Sequence, residues 1–220
     1  MIDSPDLLPA WALYASAFLS LVVLVAALMG YHWQSLLTNR GAQHFFFGGI
    51  VALAILWNMQ AGILPGLSFH VMGVTALTLM TGWRLALLGM LLVQLVLVAT
   101  GKLWWGALGY SYLLTGLLPV LFTYAFYLCV YNRLIRNPFV YILVAGFLNA
   151  GLTHAFSDLL QAAALWQMEV YTLAKVWHDY LRYMPLMMFP EGVINGMFIT
   201  GMVVFNSRWL STFDEDSYFN

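Results

Sequence analysis

Leu67 to Thr100 reads LSFHVMGVTALTLMTGWRLALLGMLLVQLVLVAT, with His70 and Arg84 as its ionisable side chains. One helix of that length would measure about 51 Å, against a bilayer hydrocarbon core of about 30 Å. Thr81, Gly82, Trp83 and Arg84 interrupt the run midway. The stretch therefore predicts two short helices, 67–80 and 84–100, of roughly 21 to 24 Å each. Helices that short are mismatched to a bilayer unless neighbours shelter them, so one end of the pair is expected below the membrane surface.

Working outward, similar apolar runs fill the chain. They predict passes near 7–29, 45–61, 107–131, 139–165 and 184–205, with Pro119 kinking the fifth and Pro185 and Pro190 interrupting the start of the seventh. Gly62 to Phe69 reads as a turn around Pro65 and Gly66. Trp166 to Arg182 reads as an amphipathic connection, and 206–220 as an acidic tail. The fold class is all-α: a single polytopic membrane bundle of about seven transmembrane segments, whose third and fourth helices are short and broken.

Composition agrees. Of the 220 residues, 63% are hydrophobic and 8% charged, where soluble domains carry roughly 25% charge. Seven passes leave no room for a soluble catalytic domain. The net charge of −1 and the absence of a basic run argue against a nucleic-acid partner. The single cysteine, Cys129, makes neither a disulfide framework nor a cysteine cluster. Asp3 and Asp6 precede the first apolar run where a secretory signal needs basic residues, so the first helix is expected to be retained. Counting Arg40, Arg84, Arg133, Arg136 and Arg208 against Lys102, Lys175 and Arg182, the positive-inside rule places the amino terminus outside and the carboxyl terminus in the cytoplasm.

Ionisable residues in membrane helices cost about 2.5 to 3.5 kcal/mol each and are functional candidates by default. His154 and Asp158 lie four apart on one helix face, with Gly151 on the same stripe allowing another helix close. Imidazole and carboxylate both ligate divalent first-row metals; the alternative is a mutually bonded pair in a polar seam. Glu191 follows Pro190, as at a helix start, with Asn195 one turn on. Glu191, Asn195 and Asn149 are candidates for a substrate pathway or for structural polar contacts. Met187 and Met188 would suit Cu(I), though methionine in apolar helices usually packs. No phosphate-binding loop, HExxH or GxSxG motif occurs, so no ATPase, zinc-protease or serine-hydrolase activity is expected of this chain.

The order of features from Gln60 to Gly116 resembles the CbiM/NikM family, the membrane components of cobalt and nickel energy-coupling-factor transporters. The matching residues are Leu64, Pro65, Gly66, Ser68, His70, Val71 and Gly73, then Thr81, Gly82 and Trp83, then Val93 and Gln94, then Gly101 and Gly106 to Gly109. Pro190 to Gly196 resembles the family's carboxyl-terminal Gly-Glu-Gly helix. The resemblance implies that His70 is a metal ligand and that the transported metal is cobalt or nickel, with copper or zinc as other candidates. It also implies a separate transmembrane coupling protein and ATPase subunits as partners in the plasma membrane; the short, broken third and fourth helices around Arg84 fit a loop that another subunit could grip. The family completes its site with the free amino terminus and a second-position histidine. Ile2 stands here, leaving Asp3, Asp6, His154 or Asp158 as replacement donors. Two other readings stay open: a membrane-embedded zinc hydrolase using His70, His154, Asp158 and His178, and a sensor or assembly subunit without metal.

Overall fold

The structure, a computed structural model, describes residues 7–219. Helix α1, Ala10–Met29, leads through short α2, Trp33–Thr38, into α3, Arg40–Asn58. The α3 start is set by Asn39, whose side-chain oxygen accepts from the Ala42 amide at 3.1 Å. Strands β1, Ala61–Leu64, and β2, Leu67–Phe69, then pair antiparallel around the Pro65–Gly66 turn. Helical residues resume at α4, Val74–Ala99, followed by α5, Trp105–Arg133, and α6, Pro138–Gln167. A short α7, Leu173–Asp179, precedes α8, Met184–Asn206, and the described chain ends in α9, Glu215–Phe219.

The predicted helix 67–80 is corrected at its start. Leu67–Phe69 is strand, its backbone taken by β1, and Gly73 at φ 63 caps the helix in a left-handed conformation. Helix propagation toward the amino terminus stops there, because that backbone is not helical.

The predicted break is present. Gly82, at φ 78 and ψ 159, interrupts α4, and the two halves run antiparallel. Trp57 Nε1 donates to the Met72 carbonyl at 2.9 Å, while Thr100 Oγ1 donates to its neighbour Asn58 at 3.2 Å. Both ends of α4 thus meet the same end of α3. A straight 26-residue helix would hold them about 39 Å apart. The fold point lies at the opposite end of the bundle, where Arg84 donates to the Gly30 carbonyl at 2.7 Å. Six helices are long and apolar enough to cross a membrane. Because α4 is two segments folded back at Gly82, the described chain traverses the bundle seven times, with α1 beginning at one end and α8 finishing at the other.

Backbone groups freed in an apolar medium must find partners within the protein, and the short half-helix Val74 to Thr81 finds them late in the chain. Its amino end is met by Asn195, whose oxygen accepts from Ala76 N at 2.9 Å. Its carboxyl end is met by Thr212 Oγ1, which donates to the Leu79 carbonyl at 2.7 Å, and by Ser211 N, which donates to the Met80 carbonyl at 3.0 Å.

Burial separates inner from outer helices. The most apolar stretches of α5 and α6 are each 50% buried, against 28% in α1 and α3, so the latter pair present most of their surface to lipid. Proline shapes α5: a wide π-helical turn, Tyr112–Leu117, precedes Pro119, accommodating a residue that has no N–H to give. Pro190 lies inside α8 without ending it, so the predicted interruption there is corrected. Helices α1 and α5 touch closely, since a Cβ on Gly109 would fall 2.5 Å from the Ala17 Cα.

Candidate metal centre

His70 follows β2 in the connection to α4 and is buried at 8% exposure. Its ring meets the Trp57 ring edge-on, centroids 4.5 Å apart. Among the described residues neither ring nitrogen has a hydrogen-bond partner of normal geometry. Burial first, and His154 second, push the imidazole down to about 3 from its ordinary 6.5; the Ser68 backbone opposes this too weakly to reverse it. At neutral pH the ring is therefore uncharged, the form that binds metals.

His154 and Asp158 sit one turn apart on α6, both buried. His154 Nε2 lies 3.4 Å from Asp158 Oδ2, and Nδ1 lies 3.7 Å from Glu191 Oε2. The other Asp158 oxygen accepts from Tyr180 OH at 2.7 Å. Tyr180 in turn stacks on Phe69, centroids 4.6 Å apart, tying the α6 pair to the strand that leads into His70.

Glu191 is held by three donors. Oε2 accepts from Met72 N at 2.7 Å, and Oε1 accepts from Gly73 N and Asn195 Nδ2, each at 2.8 Å. These bonds offset much of the cost of a buried carboxylate. At 1.5 Å per residue, Glu191 lies about 22 Å from the Asn206 end of α8 and about 10 Å from its Met184 end. The group is thus sunk below the bundle end where α1 begins.

Beneath it runs a hydroxyl chain linking α4, α5 and α6. Thr123 Oγ1 lies 3.2 Å from Thr75 Oγ1 and 2.8 Å from Thr153 Oγ1, and Thr153 donates to Asn149 Oδ1 at 3.2 Å. Asn149 also donates to the Thr123 carbonyl at 3.1 Å. Asn149 therefore belongs to this seam and not to the group around His70.

The structure links His154, Asp158, Glu191 and Asn195 by direct polar contacts, and connects His70 to them only through its chain neighbours Phe69 and Met72. It does not bring in His178, exposed on α7, so the donor set of the hydrolase reading is incomplete. Arg84 lies at the fold point of α4 at the opposite end, its guanidinium 5.0 Å from the Trp83 ring centroid. Asp3 and Asp6 lie outside the described residues. Among the described residues no three His, Cys, Asp or Glu side chains converge as a metal-holding group. The site residues missed from sequence are Trp57 and Tyr180, which carry no motif of their own; the three threonines form a separate structural seam.

No curated protein and no solved structure matches the chain. Residues 4–209 match the family described as CbiM, cobalt uptake substrate-specific transmembrane region. With that match across every long helix, the chain belongs to the CbiM family and is an integral membrane component of cobalt uptake.

Proposed function

We propose that the chain captures a divalent cobalt or nickel ion at the bundle end where α1 begins, with His70 as a ligand. The observation that carries this is the buried His70 ring, neither nitrogen of which has a hydrogen-bond partner of normal geometry among the described residues. His154 and Asp158 complete the donor set on metal arrival, by separating from each other. Energy comes from separate ATPase subunits through a transmembrane coupling protein that grips the end holding Arg84. The capture face is outside, at the plasma membrane, and the carboxyl terminus is cytoplasmic. Five of eight Lys and Arg residues, Arg40, Arg84, Arg133, Arg136 and Arg208, lie toward the other end, as the positive-inside rule requires.

The test is metal content by mass spectrometry of protein from cells supplied with cobalt, nickel, copper and zinc. Wild type is compared with His70→Ala and with His154→Ala/Asp158→Ala. Stoichiometric cobalt or nickel, lost in His70→Ala, is the expected result. Retention in the double variant would remove His154 and Asp158 from the donor set. No metal in any sample would overturn the proposal in favour of a sensor or assembly subunit, and stoichiometric zinc with hydrolytic activity would favour the hydrolase.

A further inference from the structure

We propose that Glu191 is a positioning residue: from α8 it clamps the Met72–Gly73 turn and thereby fixes where His70 presents its ring. This rests on the reading of His70 as a metal ligand. The connection from Phe69 to Val74 has no regular structure to hold it, yet the Met72 residue is gripped from both sides. Its N–H donates to Glu191 Oε2 at 2.7 Å, and its carbonyl accepts from Trp57 Nε1 at 2.9 Å. The next amide, Gly73 N, donates to Glu191 Oε1 at 2.8 Å. Trp57 is also the ring against which His70 rests. One indole thus touches the histidine directly and locks the turn that carries it.

Asn195 extends the clamp by a turn of α8. Its nitrogen donates to Glu191 Oε1 at 2.8 Å, and its oxygen accepts from Ala76 N at 2.9 Å. Gly73 has no side chain with which to cap the helix it begins, so Asn195 of α8 supplies the cap to Ala76 N from 119 residues away. The same bonds argue against Glu191 as a ligand. A carboxylate offers about four lone-pair sites, three of which already accept N–H groups, and both oxygens hold the turn. The one lone pair left is on Oε2, which already lies 3.7 Å from His154 Nδ1.

The experiment uses the full chain in detergent with Co(II) as probe. Affinity is read by equilibrium dialysis, stability by SDS titration and the donor set by the optical spectrum at saturation. Glu191→Gln must turn an amide N–H toward one of the two backbone N–H groups, breaking at least one bond. Trp57→Phe keeps a ring beside His70 but loses the donor to Met72. Thr123→Val removes a buried hydroxyl elsewhere and serves as a control for general destabilisation. Supporting residues around metal ligands typically change affinity by 10- to 100-fold. Glu191→Gln and Trp57→Phe are expected to weaken Co(II) binding about tenfold or more, leaving the saturated spectrum as in wild type, while Thr123→Val leaves affinity unchanged. The proposal is overturned if Glu191→Gln binds within about twofold of wild type, if Thr123→Val weakens binding equally, or if the saturated spectrum changes, which would make Glu191 a ligand. Should Glu191→Gln fail to fold, Asn195→Ala and Trp57→Phe decide by the same criteria. His70→Ala binding Co(II) like wild type would instead overturn the His70 reading, and this inference with it.

Discussion

Gly82→Ala tests the fold point of α4 directly. At φ 78 and ψ 159 the backbone occupies a region that is essentially confined to glycine and costs other residues about 1–3 kcal/mol. Crowding adds little, because the new Cβ would sit 3.4 Å from the Ser211 Oγ, an ordinary contact. Gly48→Ala supplies the contrast. Gly48 lies within continuous α3, its Cβ would have nothing within 4 Å, and it has no positive φ, so alanine should stabilise by about 0.5–1 kcal/mol. The two substitutions should therefore differ by roughly 1.5–4 kcal/mol. Reversible SDS unfolding followed by tryptophan fluorescence reads that difference. Equal stability, or a gain in Gly82→Ala, would refute the fold-back: a helix continuous through residue 82 would welcome the methyl group. Hydrogen exchange gives a second reading. The Ser211 amide, bonded to Met80 O at 3.0 Å, should be protected, whereas in a continuous helix the Arg84 amide would take that carbonyl instead.

Thr212→Val removes the donor to Leu79 O and the partner of Tyr141 OH, 2.6 Å away; SDS titration should show a loss of about 1–3 kcal/mol, and Tyr141→Phe should be non-additive with it. Gly109→Ala should destabilise by about 1–3 kcal/mol through overpacking, and Ala17→Gly should rescue it incompletely, because the Ala17 Cα as well as its Cβ lies within 2.6 Å of the new methyl. For metal-free protein, His70 has a folded pKa near 3 and an unfolded value near 6.5, so its contribution is complete above about pH 6.5 and is lost as pH falls toward 3. A stability profile of His70→Asn should lack that share of the acid slope; an unchanged slope would mean His70 is already charged in the fold.

The bundle was legible because its signals are local. Apolar runs of one bilayer thickness mark the helices, and Gly82 beside Arg84 inside such a run marks the fold point. The start of α4 was less legible: Leu67, Ser68 and Phe69 alternate too briefly to be told from the beginning of an apolar helix. The four-residue spacing of His154 and Asp158 placed them on one face, and they are found there 3.4 Å apart. Glu191 shows the limit. Pro190 and Glu191 resemble a helix start, but the carboxylate serves the start of a different helix. Partners separated by more than a hundred residues leave no spacing to read, and Trp57 with Met72 and Tyr180 with Asp158, 15 and 22 residues apart, lie beyond any helical repeat and carry no motif.

The support of the short half-helix also has a consequence in time. Its amino end waits for Glu191 and Asn195, which are 118 and 119 residues downstream, and its Leu79 carbonyl waits for Thr212, 133 residues downstream. A ribosome adding about 5–20 residues per second reaches these partners roughly 6 to 27 s later. During synthesis the third pass therefore cannot settle in its final place when it emerges. It must be held by the insertion machinery, or remain at the membrane surface, until the last helix arrives to draw it in.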